Sequence, residues 1–349
     1  MKLAIFSAKG YDKKYFNQVQ AAHDNLSSIE LSFIEFPLSP DTVQLAKDAE
    51  AVCAFVNDNL SRPVLEALSD LGVKAILLRC AGFNNVDMDC ASQLGLSVAN
   101  VPSYSPEAVG EFAVALLQTV NRKTHRAYNR VREGNFNLDG LLGRTLHGKT
   151  VGVVGTGRIG IAFARIMVGF GCKLLAYDVY QNEEIGKLGG SYESLDEVLS
   201  KSDFVSLHCP LMDATRHLIN STTLAKMKPD AILINTSRGG LIDTKAVIKA
   251  LKSRELGGLA LDVYEGEGAL FYNDHSADII QDDQLMRLMT FPNVVVCGHQ
   301  AFFTEEALTE IAECTFRNLV DLANGRECKN SLVAAKKPFS RRESIPHRI

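Results

Sequence analysis

Residues 149–178 read KTVGVVGTGRIGIAFARIMVGFGCKLLAYD, and the order of residue types in this stretch predicts a strand–helix–strand unit. The apolar, β-branched run at 151–154 is typical of a buried parallel strand, and 174–177 is typical of a second one. The segment from about 159 to 170 predicts the helix between them. The chain is therefore expected to contain a doubly wound α/β domain built around this unit.

The turn after the first strand carries Gly155, Gly157 and Gly160 in G-x-G-x-x-G register, and Asp178 follows the second strand. The first glycine permits a tight turn, the second lets the backbone approach a pyrophosphate, and the third lets the helix pack on the strand. The helix N-terminus attracts phosphates, and an acid at this spacing accepts hydrogen bonds from ribose hydroxyls. This pattern predicts a dinucleotide site. No cation follows Asp178 to meet a 2′-phosphate, so NAD is favoured over NADP.

Bulk composition limits the remaining possibilities. At 349 residues the chain is long enough for two domains, and 46% hydrophobic with 22% charged residues is typical of a globular protein. A net charge of −4 argues against a nucleic-acid partner, and no apolar run approaches the length of a membrane span. The eight cysteines form no C-x-x-C pair, which predicts reduced thiols in a cytoplasmic protein.

Strands and helices alternate on both sides of the glycine motif. The apolar strand candidates before it lie at 3–6, 31–36, 51–55, 75–78 and 97–99, and those after it at 205–207, 231–234, 259–261 and 294–296. A single long helix is predicted at about 107–132, and an amphipathic one at about 305–323. The last helix is expected to return to the N-terminal domain, while the tail at 336–349, with five basic residues and one acidic, is expected to be disordered.

Polar residues follow the predicted strands of the C-terminal part, and three of them suggest carbonyl chemistry. Arg238 offers a planar fork that can bridge a carboxylate and the neighbouring carbonyl. His299 has a side chain that can serve as acid in one direction and base in the other. A carboxylate would stabilise its imidazolium, and the residues alone leave Glu265 and Glu267 as alternatives.

Two further segments have both a functional and a purely structural interpretation. The turn at 79–85, RCAGFNN, has small residues after a predicted strand, and its backbone N–H groups can meet an anion; a plain strand–helix connection is equally compatible. The polar insertion at 265–290 groups several aspartates around His275. We expect a solvated loop there and no metal site.

These motifs together resemble the D-isomer-specific 2-hydroxyacid dehydrogenase family over about residues 1–333. The resemblance rests on the glycine motif with NTSRG at 235–239, LDVYE at 261–265 and GHQAF at 298–302. The segments RCAGFNNVD at 79–87 and VPSYSPE at 101–107 look most like bacterial fermentative D-lactate dehydrogenases. The resemblance implies two Rossmann-like domains, with an NAD-binding domain at 104–298 inserted into a discontinuous, flavodoxin-like catalytic domain at 1–103 and 299–335.

The resemblance also implies roles for individual residues. Arg238, Glu267 and His299 would be catalytic, with Glu267 rather than Glu265 as the partner of the histidine. The substrate would be bound by Ala81, Gly82, Tyr104, Arg238 and Phe302. The residues implied for NAD are Gly155, Gly157, Arg158, Ile159, Gly160, Asp178, Cys209, Pro210, Thr215, Thr236, Ser237, Arg238 and Asp262.

The expected activity is reversible hydride transfer between NADH and pyruvate in a cytoplasmic homo-oligomer, a dimer or a tetramer. Another small D-2-hydroxy acid is the first alternative substrate. An NAD-sensing binding protein, as among the C-terminal binding proteins of the same fold, is the alternative from another class.

Overall fold

The computed structural model describes residues 1–333, except for the side chain of Ala269. The basic tail at 336–349, predicted to be disordered, lies outside the described residues. The chain divides into two compact units. Within the described residues, the first unit comprises 1–105 and 303–333, and the second comprises 106–302. The sequence had placed the domain boundaries a few residues away, at 103/104 and 298/299.

The strands are short and follow the apolar runs of the sequence. In chain order they are β1 (Lys2–Ile5), β2 (Glu30–Phe33), β3 (Ala51–Ala54), β4 (Ala75–Leu78), β5 (Ser97–Ala99), β6 (Thr150–Val154), β7 (Lys173–Tyr177), β8 (Ser191–Tyr192), β9 (Phe204–Leu207), β10 (Ile232–Asn235), β11 (Gly258–Leu261), β12 (Val294–Val296) and β13 (Ser331–Val333).

The helices lie between these strands and cover the sheets. They are α1 (Gly10–Ala22), α2 (Arg62–Asp70), α3 (Met88–Leu94), α4 (Pro106–Arg122), α5 (Thr124–Arg132), α6 (Arg158–Gly169), α7 (Glu184–Lys187), α8 (Leu195–Lys201), α9 (Ser221–Leu224), α10 (Thr244–Ser253), α11 (Asp283–Met289) and α12 (Glu305–Ala323).

The first unit is built on a six-stranded sheet in the order β13-β5-β4-β3-β1-β2. Its first five strands are parallel and follow the 2-1-3-4-5 order of flavodoxin-like folds, while β13 pairs antiparallel with β5 at the edge. Alternate side chains along each strand point to opposite faces. Ile5 and Leu77 therefore pack with α1 and α12, whereas Val52 and Ile76 pack with α2 and α3.

The second unit is built on a seven-stranded sheet in the order β12-β11-β10-β9-β6-β7-β8, and every neighbouring pair is parallel. In register, Val151 of β6 lies opposite Leu174 of β7 and Phe204 of β9. The strand order reverses at β6, which is the point where open α/β sheets bind ligands. Helices cover both faces, with α4 and α6 on one and α8–α11 on the other. The predicted α/β fold class is confirmed.

Two details of the secondary structure differ from the sequence prediction. The single helix predicted at about 107–132 is wrong, because the chain forms α4 and α5 separated by Lys123, whose φ is +54°. A left-handed residue cannot continue a right-handed helix, and no glycine or proline marks the break. The short strands β8 and β13 were not predicted. No helix among residues 1–333 is both long and apolar enough to cross a bilayer.

Candidate active site

The predicted cofactor and acid–base residues of the second unit follow the carboxyl ends of its strands. They are Gly155 after β6, Asp178 after β7, Cys209 after β9, Thr236 after β10, Asp262 after β11 and His299 after β12. Because neighbouring strands are parallel, these ends lie on one edge of the sheet. The fold therefore brings together residues that are far apart in the sequence.

The glycine loop has the geometry of a phosphate cradle. Gly155 has a φ of +97°, and a Cβ there would overlap the backbone of His208 and Cys209. A Cβ at Gly160 would overlap the carbonyl oxygen of Gly155. Gly157 is different, because the space that its Cβ would take is open. This open position is the N-cap of α6, whose first turn, beginning with Arg158 and Ile159, presents N–H groups without intrahelical acceptors.

Asp178 is tied to the same loop. Its Oδ2 accepts hydrogen bonds from the N–H of Thr156 at 2.6 Å and from the Thr156 hydroxyl at 3.1 Å, and its Oδ1 accepts from the N–H of Tyr180 at 3.1 Å. The carboxylate therefore has a fixed position beside the turn between β6 and α6. The turn after β9 is fixed in a similar way, since the hydroxyl of Thr215 donates to the carbonyl of Pro210 at 2.7 Å.

The NTSR turn after β10 is held by its own polar side chains. Asn235 is fully buried; its Nδ2 donates to the carbonyl of Arg238 at 2.9 Å, and its Oδ1 accepts from the N–H of Ser237 at 3.0 Å. Ser237 in turn donates to the carbonyl of Cys209 at 2.7 Å. A Cβ at Gly239 would overlap the backbone of Tyr264, so the turn lies directly against the segment that follows β11. Arg238 is thus carried on a rigid backbone.

His299 and Glu267 form a pair. The Nδ1 of His299 lies 2.9 Å from the Oε1 of Glu267, and the two side chains are only 16% and 20% exposed. The Oε2 of Glu267 accepts from the N–H of Tyr264 at 2.8 Å, which fixes the carboxylate. Glu265 faces elsewhere, with its Oε1 2.6 Å from the Nε2 of His217. The alternative that the residues alone left open is therefore resolved in space: Glu267 contacts His299.

The backbone of His299 is constrained as well. Its φ is +57°, in the left-handed region that residues other than glycine rarely adopt, and its N–H donates to the carbonyl of Asp262 at 2.7 Å. The fully buried carboxylate of Asp262 accepts from the next two N–H groups, those of Gln300 and Ala301, both at 2.8 Å. The Tyr272 hydroxyl donates to the carbonyl of His299 at 3.2 Å. Burial raises the pKa of Asp262, and the two N–H donors oppose that rise.

Two titratable side chains at the end of β9 stay neutral near pH 7. Burial lowers the pKa of His208 to about 3; its Nε2 lies 2.9 Å from the Ser206 hydroxyl. Although His208 as a whole is only partly buried, its Nδ1 is shielded from solvent and has no partner among residues 1–333. Burial also raises the pKa of the Cys209 thiol to about 11. Neither side chain therefore brings a charge to this edge.

The remaining predicted substrate residues lie in the first unit or next to it in the chain. Ala81 and Gly82 are on the loop after β4, and Tyr104 is partly buried just before α4. Phe302, also partly buried, is the last residue of the second unit. Arg79, which opens the loop, is 2% exposed, and its Nε donates to Asp12 at 3.1 Å.

The polar insertion after Tyr264 uses its acids for local structure. Asp282 caps α11 and accepts from the Tyr264 hydroxyl at 2.8 Å, and Asp278 lies 2.8 Å from His275. Within the described residues, no group of histidine, cysteine, aspartate and glutamate side chains is arranged to hold a metal ion.

Comparisons with known proteins agree with this geometry. A family model for the NAD-binding domain of D-isomer-specific 2-hydroxyacid dehydrogenases matches residues 114–301, more than half of the chain. The 2-hydroxyacid dehydrogenase A of Aspergillus oryzae is 66% identical over 333 residues, 95% of each chain. The D-lactate dehydrogenase kk1H of Curvularia clavata is 64% identical over 343 residues, 98% of each chain. The chain belongs to the D-isomer-specific 2-hydroxyacid dehydrogenases.

A solved structure extends the likeness to three dimensions. The apo D-lactate dehydrogenase of Escherichia coli superposes with a TM-score of 0.88 at 50% identity, covering 95% of this chain and all of that one. The chain is thus an oxidoreductase with a Rossmann-like NAD-binding domain, and its cofactor is NAD, as predicted.

The residues of this dehydrogenase fit NAD. The open space at Gly157 beside the first turn of α6 matches the need of a pyrophosphate for close backbone approach. The carboxylate of Asp178 stands beside the same turn and has no cation against it among the contacts of the described residues. The buried hydroxyl oxygen of Thr236 has no partner within residues 1–333, which leaves a polar group at the strand edge for the cofactor.

Sequence reasoning missed two supporting residues, Asn235 and Tyr272, and one role of a third, Asp262. Asn235 had a signal, since it is a polar residue at the end of the apolar run ILIN, and its amide organises the turn that carries Arg238. Asp262 was assigned to NAD alone, whereas its carboxylate also holds the backbone after His299. Tyr272 had no signal, because it stands in a polar loop 27 residues before the backbone that it contacts.

Proposed function

We propose that this enzyme is an NAD-dependent D-lactate dehydrogenase that reduces pyruvate to D-lactate and catalyses the reverse oxidation. The observation that carries the proposal is the His299–Glu267 pair, at 2.9 Å, on the same sheet edge as the glycine loop and Arg238. A proton donor, a fixed cation and a dinucleotide site on one edge are what the reduction of a 2-oxo acid requires.

Each of these side chains has a separate task in the proposed reaction. When bound, NADH would supply the hydride to the carbonyl carbon. The guanidinium of Arg238 binds the carboxylate and polarises the carbonyl, whose oxygen gains electron density as the C=O double bond becomes a single bond. The Nδ1 of His299 faces Glu267, so Nε2, on the other side of the ring, delivers the proton to that oxygen. Glu267 stabilises the imidazolium and fixes the ring.

The remaining assignments complete the substrate and cofactor sites. We assign the backbone of Ala81 and Gly82 with the side chain of Tyr104 to the substrate carboxylate, and Phe302 to its methyl group. The NAD site comprises Gly155, Gly157, Arg158, Ile159, Gly160, Asp178, Cys209, Pro210, Thr215, Thr236, Ser237, Arg238 and Asp262. The first unit is the substrate domain in this scheme.

The test is a panel of 2-oxo acids assayed with NADH by the fall in its absorbance, followed by chiral chromatography of the product. Pyruvate should have the highest kcat/KM and give D-lactate. A larger 2-oxo acid at the top of the ranking would reassign the substrate within the family. Binding of NADH without turnover of any 2-oxo acid would instead favour an NAD-sensing protein.

We also propose that the enzyme is a cytoplasmic homo-oligomer. The segment from α5 to residue 142 supports self-association, since α5 has no buried residue. The apolar side chains here are 49–88% exposed and comprise Tyr128, Val131, Phe136, Leu138 and Leu142. Such a concentration of exposed apolar surface is typical of an interface, and we assign a second copy of the chain to it. Free cysteines support the compartment. Analytical ultracentrifugation should give a dimer or a tetramer, and Leu138→Asp with Leu142→Asp should lower the mass.

A further inference from the structure

In the loop that follows β4, two consecutive backbone carbonyl groups are hydrogen-bonded to residues 100–101. Residues 80–85 carry no cationic side chain, so an anion bound here must be held by N–H groups. The carbonyl of Cys80 accepts from the N–H of Val101 at 3.2 Å, and the carbonyl of Ala81 accepts from Nδ2 of Asn100 at 2.8 Å. Both carbonyls therefore point toward residues 100–101.

The directions of the N–H groups follow from peptide planarity. In a trans peptide the C=O and the next N–H lie in one plane and point in opposite directions, and residues 1–333 contain no cis bond. The N–H groups of Ala81 and Gly82 must then both point away from residues 100–101. Among residues 1–333 no acceptor contacts either N–H. Two neighbouring donors that face the same way are suited to a carboxylate.

Asn100 is itself held from the far end of the chain. Its carbonyl accepts from Nδ2 of Asn318 on α12 at 2.8 Å, and its N–H donates to the carbonyl of Asn330 at 3.2 Å. The Oδ1 of Asn318 accepts from Nδ2 of Asn330 at 2.9 Å. Asn100 is 5% exposed and Asn318 is 2% exposed, so water does not compete for these hydrogen bonds.

We propose that Asn100 and Asn318 are positioning residues for the substrate carboxylate. Asn100 fixes the Ala81–Gly82 peptide, and Asn318 fixes Asn100, so that the N–H of Gly82 is presented to the anion before it binds. The inference rests on the proposed function, because it requires a 2-oxo acid as the ligand. It adds that the helix α12, which carries none of the groups assigned to the chemistry, sets the affinity for the acid.

The first experiment is steady-state kinetics of Asn100→Leu with the 2-oxo acid that the unaltered enzyme reduces best. Carboxylate binding contributes to the ground state and the transition state alike, so KM for the acid should rise while kcat changes little. A rise of roughly tenfold corresponds to the low end of a hydrogen bond to a charged group. KM for NADH should stay within about twofold.

A matched control separates positioning from stability. Asn121 is 4% exposed, and its Nδ2 also donates to a backbone carbonyl, that of Arg144, at 2.8 Å. Asn121→Leu removes this hydrogen bond and two more in the second unit, those with Oε1 of Gln118 and with the N–H of Arg144, so it should lower the melting temperature without raising KM for the acid. Equal rises in KM in both variants would overturn the inference.

A neutral substrate analogue gives a readout that general loosening would not produce. The methyl ester of the same 2-oxo acid keeps the carbonyl but lacks the negative charge. Asn100→Leu should lower the ratio of kcat/KM for the acid to that for the ester by several-fold, and Asn121→Leu should leave it unchanged. An unchanged ratio in Asn100→Leu would overturn the inference.

Two further variants test the inference in case Asn100→Leu does not fold. Asn100→Ser is smaller and its hydroxyl stops short of the Ala81 carbonyl, so it should reproduce the rise in KM. Asn318→Leu acts one step further away and should give a smaller rise in the same direction. If the unaltered enzyme reduces 2-oxo acids and neither Asn100 variant changes KM, the positioning role is wrong and the proposed function stands. If the unaltered enzyme reduces no 2-oxo acid, both are wrong.

Discussion

Asp262 holds the backbone of His299 in place: its carbonyl accepts the N–H of His299 at 2.7 Å, and its carboxylate accepts the following two N–H groups. Three hydrogen bonds from one residue stabilise the left-handed conformation at His299, which a β-carbon otherwise disfavours by about 1–2 kcal/mol. The buried carboxylate of Asp262 therefore positions His299, although Asp262 takes no part in the proposed proton transfer.

Asp262→Asn should lower kcat more than it changes substrate binding. One of its two acceptors becomes an NH₂ group facing a backbone N–H, so the loop after β12 must shift and His299 with it. A shift on the order of 1 Å can lower the rate by about 100-fold. Asp243→Asn is the matched control, since Asp243 caps α10 by accepting from Ala246 at 3.1 Å. Equal kcat values in the two variants would show that Asp262 does not position His299.

Asp178 should determine the choice of cofactor. Its carboxylate lies beside the turn between β6 and α6 and would repel a 2′-phosphate, so NADH should be strongly preferred over NADPH. Asp178→Ala should raise KM for NADH and reduce the ratio of kcat/KM for NADH to that for NADPH. Asp203→Ala is the control, because Asp203 precedes β9 at the opposite edge of the sheet. Similar kcat/KM values for NADH and NADPH in the unaltered enzyme would refute the assignment.

Arg238 is expected to contribute to binding and to turnover together. Arg238→Lys keeps the charge but loses the planar fork, so KM for pyruvate should rise and kcat should fall. The guanidinium also donates to the carbonyl of Ser237 at 2.7 Å, but the turn should survive the change because the side chains of Asn235 and Ser237 hold it as well. A change confined to one of the two kinetic parameters would mean that Arg238 has a single role.

Much of this fold can be predicted from the sequence, because buried parallel strands consist of continuous apolar residues. The positions of β4, β5 and β12 follow directly from their composition. The break at Lys123 was not predictable, since the local residues carry no helix-breaking signal and Lys123 nevertheless adopts a left-handed conformation. Residues alone also left Glu265 and Glu267 as alternatives, because both stand in one turn and only the fold decides which carboxylate reaches His299.

The least predictable features are long-range. Asn318 and Asn100 are 218 residues apart, and no pattern in either segment points to the other. The positive φ of His299 likewise has no local cause in the sequence GHQAF and follows from hydrogen bonds to Asp262. Sequence reasoning therefore found the groups assigned to the chemistry more readily than the groups that hold them.

His208 should make stability depend on pH. Its pKa is lowered to about 3 by burial, whereas an unfolded histidine titrates near 6.5. Between these values the unfolded chain binds a proton that the folded chain does not, so stability falls as the pH falls below about 6.5. The loss should reach about 2 kcal/mol between pH 7 and pH 5. The free energy of unfolding in urea should fall on acidification by about 2 kcal/mol more for the unaltered enzyme than for His208→Gln, whose amide can keep the contact to Ser206. Parallel curves would contradict the assignment.

The last prediction concerns His299 and Glu267 as a coupled acid. Pyruvate reduction needs His299 protonated and lactate oxidation needs it neutral, so reduction efficiency should fall with rising pH where oxidation efficiency climbs. The carboxylate of Glu267, 2.9 Å from Nδ1, favours the imidazolium. Glu267→Gln keeps the shape and removes the charge that stabilises the imidazolium, so it should lower the efficiency of pyruvate reduction and change both profiles. His299→Ala should lower the rate by roughly 10²–10⁴-fold.

The chain offers a control for this pair within the same turn. Glu265 lies 2.6 Å from His217 and 3.4 Å from Arg216, so Glu265→Gln removes an equivalent charge from a different histidine. Its two pH profiles should match those of the unaltered enzyme, because the carboxylate that it removes does not contact His299. If Glu265→Gln moved the profiles and Glu267→Gln did not, the partner assignment would be reversed. If both variants changed the pH profiles equally, the effect would come from the summed electrostatic potential of the two carboxylates. The 2.9 Å contact would then have no specific role in proton transfer.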